Sequence, residues 1–312
     1  MRLLLVRHAE TVDNVAGVYA GSRDSELTAH GVLQARRLAR LLASGALGPV
    51  RRVLSSDLQR AVDTARAVVE EVTRARSSRD GGASNAEGTA DGRDQQPAQA
   101  PKTPGALAPL ELIQFADLRE RDFGAAEGEK FGSARARSLA AAGAESHDQM
   151  RQRAERLMSN HLAPLLRAAE GEPADGESGC IVVIAHGLIL GSLLRVLLGR
   201  FGAPGAVERL EMSGPVAWSN TGYAELVVER GIVGVARTKA GGEEAASGDR
   251  TLSSARQQRQ PPAIRLSVVA VNVLTHLEGL KKTRGGIGSA RFDKRQRTME
   301  SFFDTGAHCQ SR

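Results

Sequence analysis

The sequence predicts an α/β fold with a doubly wound, mostly parallel sheet and helices on both faces, and three observations predict it. Short apolar runs at Leu3–Val6, Val53–Leu54 and Cys180–Ala185 have strand length and stop abruptly at polar residues. Between them lie longer stretches with apolar residues at helical spacing. The alternation of the two along the chain favours βα units over separate helical and sheet domains.

Taken in order, Leu3–Val6 reads as a buried strand that runs into Arg7-His8-Ala9-Glu10-Thr11. The Arg-His pair therefore falls at the carboxyl edge of the sheet, where open α/β sheets bind their ligands. A neutral imidazole beside a guanidinium is a nucleophile beside an anion clamp, which suits attack on phosphorus. Tyr19–Thr28 is a turn-rich loop, and Thr28 caps a helix to Ala43 whose Leu33, Leu38, Leu41 and Leu42 form a stripe toward the sheet. Val53–Ser56 is a second strand, followed by a helix over Arg60–Arg74 with Arg60 in its first turns. Leu110–Ile113 reads as a strand. Leu118–Gly124 places Glu120 in a Gly-bounded loop, and Gln149–Ala169 reads as a helix. Cys180–Ala185 ends in His186-Gly187, and Leu188–Phe201, apolar nearly all round, is expected to be a buried helix behind it. Ala217–Glu229 reads as a strand. Ile264–Val273 alternates and β-branches, and is expected to rejoin the sheet at an edge.

This divides the chain into a catalytic domain over 1–239, a linker over 240–262, an added strand over 263–273 and a basic, largely disordered tail over 274–312. The segment 77–109 is rich in Gly, Ala, Asp, Gln and Pro, has almost nothing to bury, and reads as a disordered insertion in a tolerant loop.

Singly, the polar residues have ordinary readings: His186 as a core histidine, Arg60 as a surface arginine, Glu120 as one member of a self-paired charge run. Together, Arg7-His8-Ala9-Glu10-Thr11 with Asn14, Arg60 after a strand end, Glu120 in Leu-Arg-Glu-Arg-Asp-Phe-Gly and His186 after a strand resemble the histidine phosphatase superfamily, the phosphoglycerate mutase-like proteins, over about Met1–Val228. The resemblance implies a three-layer sandwich and a metal-independent phosphatase that forms a phosphohistidine on His8. It implies that Arg7, Arg60 and His186 hold the phosphoryl oxygens and that Glu120, rather than Glu127 or Glu129, serves as acid and base. Asn14, Gly21, Ser22, Phe123 and Gly187 complete the implied substrate site. Phe123 stands where mutases of the family carry Tyr, which favours a phosphatase over the alternative of a cofactor-dependent phosphoglycerate mutase. Ala9 and Ala185 stand where Gly or Ser is commoner. Arg135, Arg137 and Arg151, in the region that caps the site in this family, are further cations that could meet an anionic substrate. No cofactor or metal is expected, because two arginines and two histidines supply the charge a cation supplies elsewhere.

Composition bounds the rest. Two cysteines, Cys180 and Cys309, do not make a disulfide framework, no apolar stretch has membrane-spanning length, and Met1 leads straight into the first strand; an intracellular location, cytoplasmic or nuclear, is expected. From Pro261 onward nine Lys/Arg face four acids, so the tail carries most of the chain's net +6. Within it Gln296-Arg297-Thr298-Met299-Glu300-Ser301-Phe302-Phe303 resembles a PIP box, the peptide that docks on the sliding clamp proliferating-cell nuclear antigen (PCNA). Gln296, Met299, Phe302 and Phe303 would be its anchors, and Lys294, Arg295 and Arg297 would steer it. The tail thereby offers an alternative in which clamp binding is the function and the catalytic domain a scaffold. Lys281, Lys282 and Arg284 with that second basic cluster would also suit nuclear import.

Overall fold

The computed structural model describes residues 1–80, 110–133, 143–168, 179–212, 214, 216–231, 263–282 and 287–293. Its strands are β1 (Arg2–Arg7), β2 (Val50–Ser56), β3 (Leu112–Phe115), β4 (Cys180–Ala185), β5 (Tyr223–Gly231) and β6 (Ala263–Val273). Its helices are α1 (Val12–Ala16), α2 (Ala29–Ser44), α3 (Gln59–Asp80), α4 (His147–Leu157), α5 (Ala163–Ala168), α6 (Gly187–Phe201) and α7 (Ala206–Met212), with a π turn at Met158–Leu162 joining α4 to α5.

The six strands form one sheet in the order β3-β2-β4-β1-β5-β6. The first four are parallel; β5 runs antiparallel to β1, and β6 antiparallel to β5. Strand periodicity explains the layering. Leu3 and Leu5 of β1 and Ile181 and Val183 of β4 pack with Met150, Leu157 and Leu190 of α4 and α6. The alternate residues Leu4, Val6, Val182 and Ile184 pack with Leu38, Leu42, Ala65 and Val68 of α2 and α3. Apolar side chains thus point both ways from the central strands, so helices must cover both faces.

Several boundaries differ from the sequence reading, each for a local reason. Leu33 is 43% exposed; the inward stripe of α2 is Ala35, Leu38, Ala39 and Leu42, so the helix turns Leu33 to solvent. Helix α3 continues to Asp80, so Ser77–Asp80 belong to a helix; Ser77 and Ser78 hydroxyls donate back to the Thr73 and Arg74 carbonyls, which polar composition alone does not reveal. Residues 81–109 of that segment lie outside the described residues, as does 240–262. Strand β3 begins at Leu112. The segment before β5 is a turn, with Thr221 at φ 57° and Gly222 N–H bonded to Ser219 O, so the strand starts at Tyr223 rather than Ala217.

The described residues at the start of the basic tail, 274–282 and 287–293, make contacts with the catalytic domain. Ala29 N–H donates to Ala290 O and Phe292 N–H to Leu27 O; Arg291 pairs with Glu26, and Arg37 donates to Glu278 O. These backbone and charge contacts need no apolar anchor, so low hydrophobicity did not betray them. Residues 294–312, including Gln296, Met299, Phe302, Phe303 and Cys309, lie outside the described residues. No helix among the described residues is long and apolar enough to cross a membrane.

Candidate active site

The parallel register sets Arg7 of β1 beside Ala185 of β4, so the next residues, His8 and His186, leave adjacent strands at the same edge. His8 N–H donates to Ala185 O at 2.9 Å, and the two imidazole centroids are 5.0 Å apart. Strand β2 is the other neighbour of β4, and the turn after it delivers Arg60 from the first turn of α3 to the same place. Asp24, in the loop before α2, caps α3 by accepting from Gln59 N–H at 2.8 Å.

His8 is 4% exposed. Its Nδ1 is 2.7 Å from Ala9 O; a carbonyl only accepts, so Nδ1 carries the proton and Nε2 the lone pair. Ala9 N–H in turn donates to Thr64 Oγ1 of α3, which fixes the turn. Burial, then the charges of Arg60 and Arg7, push the His8 pKa well below the ordinary histidine value, so the imidazole is a free base.

Arg60 is buried and its guanidinium is fully oriented. Nη2 donates to Gly21 O at 2.7 Å, Nη1 to Arg23 O at 2.6 Å, and Nε to His186 Nδ1 at 3.1 Å. That last bond makes Nδ1 the acceptor of His186 and puts its proton on Nε2, which is buried without a partner. Arg7 donates from Nη1 to Trp218 O at 2.5 Å, and its buried Nε also lacks a partner. Burial lowers the pKa of both arginines while the charge of Glu120 raises it. Buried donors without a partner in the protein call for one from outside it, a water or an ion.

The cleft has a volume of about 420 Å³. Arg7, His8, Asn14, Gly21, Arg60, Glu120, Phe123 and Gly187 line it. His186 sits behind, on Arg60. Glu120 accepts from Arg121 N–H at 2.9 Å and from the first free amides of α6, Leu188 at 3.2 Å and Ile189 at 3.3 Å, so the helix N-terminus holds the carboxylate at the rim. Glu127 does something else: its carboxylate accepts from Ser22 N–H at 2.6 Å, the Ser22 hydroxyl and Phe123 N–H. Ser22 therefore faces Glu127 and the neighbouring groove, apart from the cleft around His8. Gly21 has φ +57°, and a Cβ there would press into Glu127 Oε1, so this turn requires glycine. Arg151 pairs with Asp148 and Glu155 of its own helix and does not reach the cleft; Arg135 and Arg137 lie outside the described residues.

Sequence reasoning missed several contributors. Asn220 Nδ2 is 3.1 Å from His8 O and 3.0 Å from Asn14 Oδ1, tying the two site loops together. Asn272, at φ 55° in the last turn of β6, accepts from Ser219 N–H at 2.8 Å; His276 lies 3.0 Å from Thr221 Oγ1, and Thr221 N–H reaches Arg7 O at 3.0 Å. Lys282 pairs with Glu10 at 2.7 Å, two residues from His8. A lone Asn or His carries no signal by type; only the bracing of the turn shows its use. Among the described residues no three His, Cys, Asp or Glu side chains gather in a way that could hold a metal ion.

The profile of the histidine phosphatase superfamily (branch 1) matches residues 3–100 and 92–225. A probable phosphatase of Schizosaccharomyces pombe is 30% identical over 306 residues, covering 96% of this chain and 78% of that protein. The adenosylcobalamin/alpha-ribazole phosphatase of Salmonella typhimurium is 51% identical over 70 residues, which are 22% of this chain and 33% of that protein. Among solved structures, a mycobacterial glucosyl-3-phosphoglycerate phosphatase in complex with VO3 shares the fold, with TM-score 0.54 and 21% identity over 88% of this chain and 99% of that one. By profile and by a relative that spans nearly its whole length, the chain belongs to the histidine phosphatase superfamily, branch 1.

Proposed function

We propose that this phosphatase hydrolyses a small phosphomonoester without a metal, through a phosphohistidine on His8. One observation supports the reading: Arg7, His8 and Arg60 line one cleft, His8 with its lone pair on Nε2 and Arg7 with a buried Nε–H that has no partner, while His186, whose Nε2–H is also partnerless, sits behind on Arg60.

The chemistry then follows from the residues. The phosphoryl group sits between Arg7, Arg60 and His186 Nε2–H, donors already oriented for its non-bridging oxygens. His8 Nε2 attacks phosphorus in line, the N–P bond forms and the P–O bond to the leaving group breaks. Glu120 in its acid form gives its proton to the departing oxygen. Water next attacks the phosphohistidine, Glu120 takes the water's proton, the N–P bond breaks and inorganic phosphate leaves. Nδ1–H held on Ala9 O stabilises the imidazole that gains charge in the first step.

The test is hydrolysis of an aryl phosphate in excess chelator by wild type and His8→Ala. The proposal expects turnover that survives chelation and falls by at least about 10³-fold in the variant. Turnover that chelator removes, or that His8→Ala retains, contradicts it; rapid exchange of 3- and 2-phosphoglycerate with negligible hydrolysis would make the protein a mutase instead.

A further inference from the structure

The cleft beyond the phosphate donors is apolar. We infer that the leaving group of the substrate is an uncharged alcohol with an apolar or aromatic face, held by Tyr19, Phe131 and Leu188; this rests on the phosphatase reading of the same cleft.

The apolar wall is both exposed and rigid. Phe131 is 58% exposed and Leu188 41% exposed, both on the cleft wall. Exposed apolar side chains are ordinary when scattered, but these two flank one concave site. The Phe131 ring is not loose. Phe131 N–H donates to Gly17 O at 2.9 Å, Tyr19 N–H to Glu129 O at 2.9 Å, and Gly128 N–H to Tyr19 O at 2.8 Å, a short antiparallel ladder that sets the backbone of both residues. Tyr19 then meets Phe131 edge-on and Phe123 tilted, each with centroids 4.6 Å apart. An aromatic wall held in advance loses little side-chain freedom when a ligand covers it.

Charge in the cleft is concentrated at one end. Arg7 and Arg60 converge on the phosphate position. The remaining cation of the cleft, Arg121, donates from Nε to Glu145 O at 2.7 Å and lies 5.8 Å from the Phe123 ring centroid. Arg121 thus spends its Nε on a backbone carbonyl beside an aromatic ring, and apart from it, Arg7 and Arg60 no cation among the described residues lines the cleft. On the far side of Glu120 lies a more polar groove of about 590 Å³, but its arginines are taken: Arg119 by Asp57 at 2.7 Å and Arg153 by Glu145 at 2.6 Å. A polyanionic leaving group finds no better home there.

The experiment compares kcat/KM for 3-phenylpropyl phosphate, glycerol 3-phosphate and 3-phosphoglycerate. All three release an alkyl alkoxide, so intrinsic reactivity differs little and binding of the leaving group decides. Wild type should prefer the phenylpropyl ester by about tenfold or more. Phe131→Ala should collapse that ratio toward one and Phe131→Tyr should keep it; because each ratio is taken within one preparation, folding yield cancels. A flat or reversed order in wild type, or a ratio unchanged in Phe131→Ala, overturns the inference while leaving hydrolysis through His8 intact. Absence of His8-dependent hydrolysis of all three esters would instead remove the phosphatase reading and this inference with it.

Discussion

Nε of Arg60 lies 3.1 Å from Nδ1 of His186, and because a guanidinium only donates, this one contact decides which nitrogen of the histidine carries the proton. The arginine that lines the cleft also sets the tautomer of the histidine behind it. A lysine could not do this and hold the Gly21 and Arg23 carbonyls at once.

The same arrangement predicts a pH response. Burial, then the charge of Arg60, holds both His8 and His186 well below the ordinary histidine pKa. Their native pKa values are depressed, so the unfolded chain takes up protons near pH 6.5 while the native chain does not. Stability is therefore full above about pH 6.5 and falls as the pH drops below it. Nuclear magnetic resonance of labelled histidines should show both rings still neutral at about pH 6.5, where a free histidine is half charged, with Tm falling as the pH drops below that value. A native midpoint near 6.5 for His8 would contradict the account.

Glu120 and Glu127 should separate by leaving group. Glu120→Gln should cost about 10²-fold or more on an alkyl phosphate, whose oxygen must be protonated as it leaves, and far less on a nitrophenyl phosphate. Glu127→Gln weakens three hydrogen bonds under the Gly21–Ser22 turn and should cost about 1–3 kcal/mol of stability with the same leaving-group dependence as wild type. Kinetics on the two esters, with thermal melts, check both.

Asn272 braces the turn that braces His8, from a strand that lies beyond the matched family segment. Asn272→Ala leaves Ser219 N–H without its acceptor and places alanine at φ 55°. The expected result is a loss of about 1–3 kcal/mol, with kcat falling more than KM rises because the nucleophile rather than the substrate is displaced. Equal kcat in variant and wild type would limit Asn272 to stability.

The Gln296–Phe303 segment carries a separate proposal, a clamp-docking peptide. Full-length protein should bind the sliding clamp with a Kd that rises at least about tenfold in the Phe302→Ala/Phe303→Ala variant. No binding by wild type would reject the motif.

Much of the fold was legible because strand runs such as Leu3–Val6 and Cys180–Ala185 are apolar on both faces, as strands covered by helices on both sides require. The gathering of Arg7, His8, Arg60, Glu120 and His186 was expected from the family resemblance of their motifs taken together, since each alone has an ordinary reading. What stayed hidden depends on contacts rather than on pattern. Nothing in Lys282 or Arg291 announces that they fasten the start of the tail to Glu10 and Glu26. Tyr19 and Phe131 are 112 positions apart, and only the ladder between Gly17–Tyr19 and Gly128–Phe131 makes one wall of them. Ser22 looked like a phosphate ligand by its place in the loop, yet a carboxylate 105 residues on takes its hydroxyl.

The central claim is covalent chemistry at His8 Nε2, and trapping tests it most directly. Wild type and His8→Ala would be mixed with a ³²P-labelled phosphomonoester and quenched within milliseconds in alkali, where phosphohistidine survives. The account predicts label on the wild-type chain that acid then releases, and none on His8→Ala. Label retained by His8→Ala, or turnover by wild type with no labelled protein at any time, would contradict it.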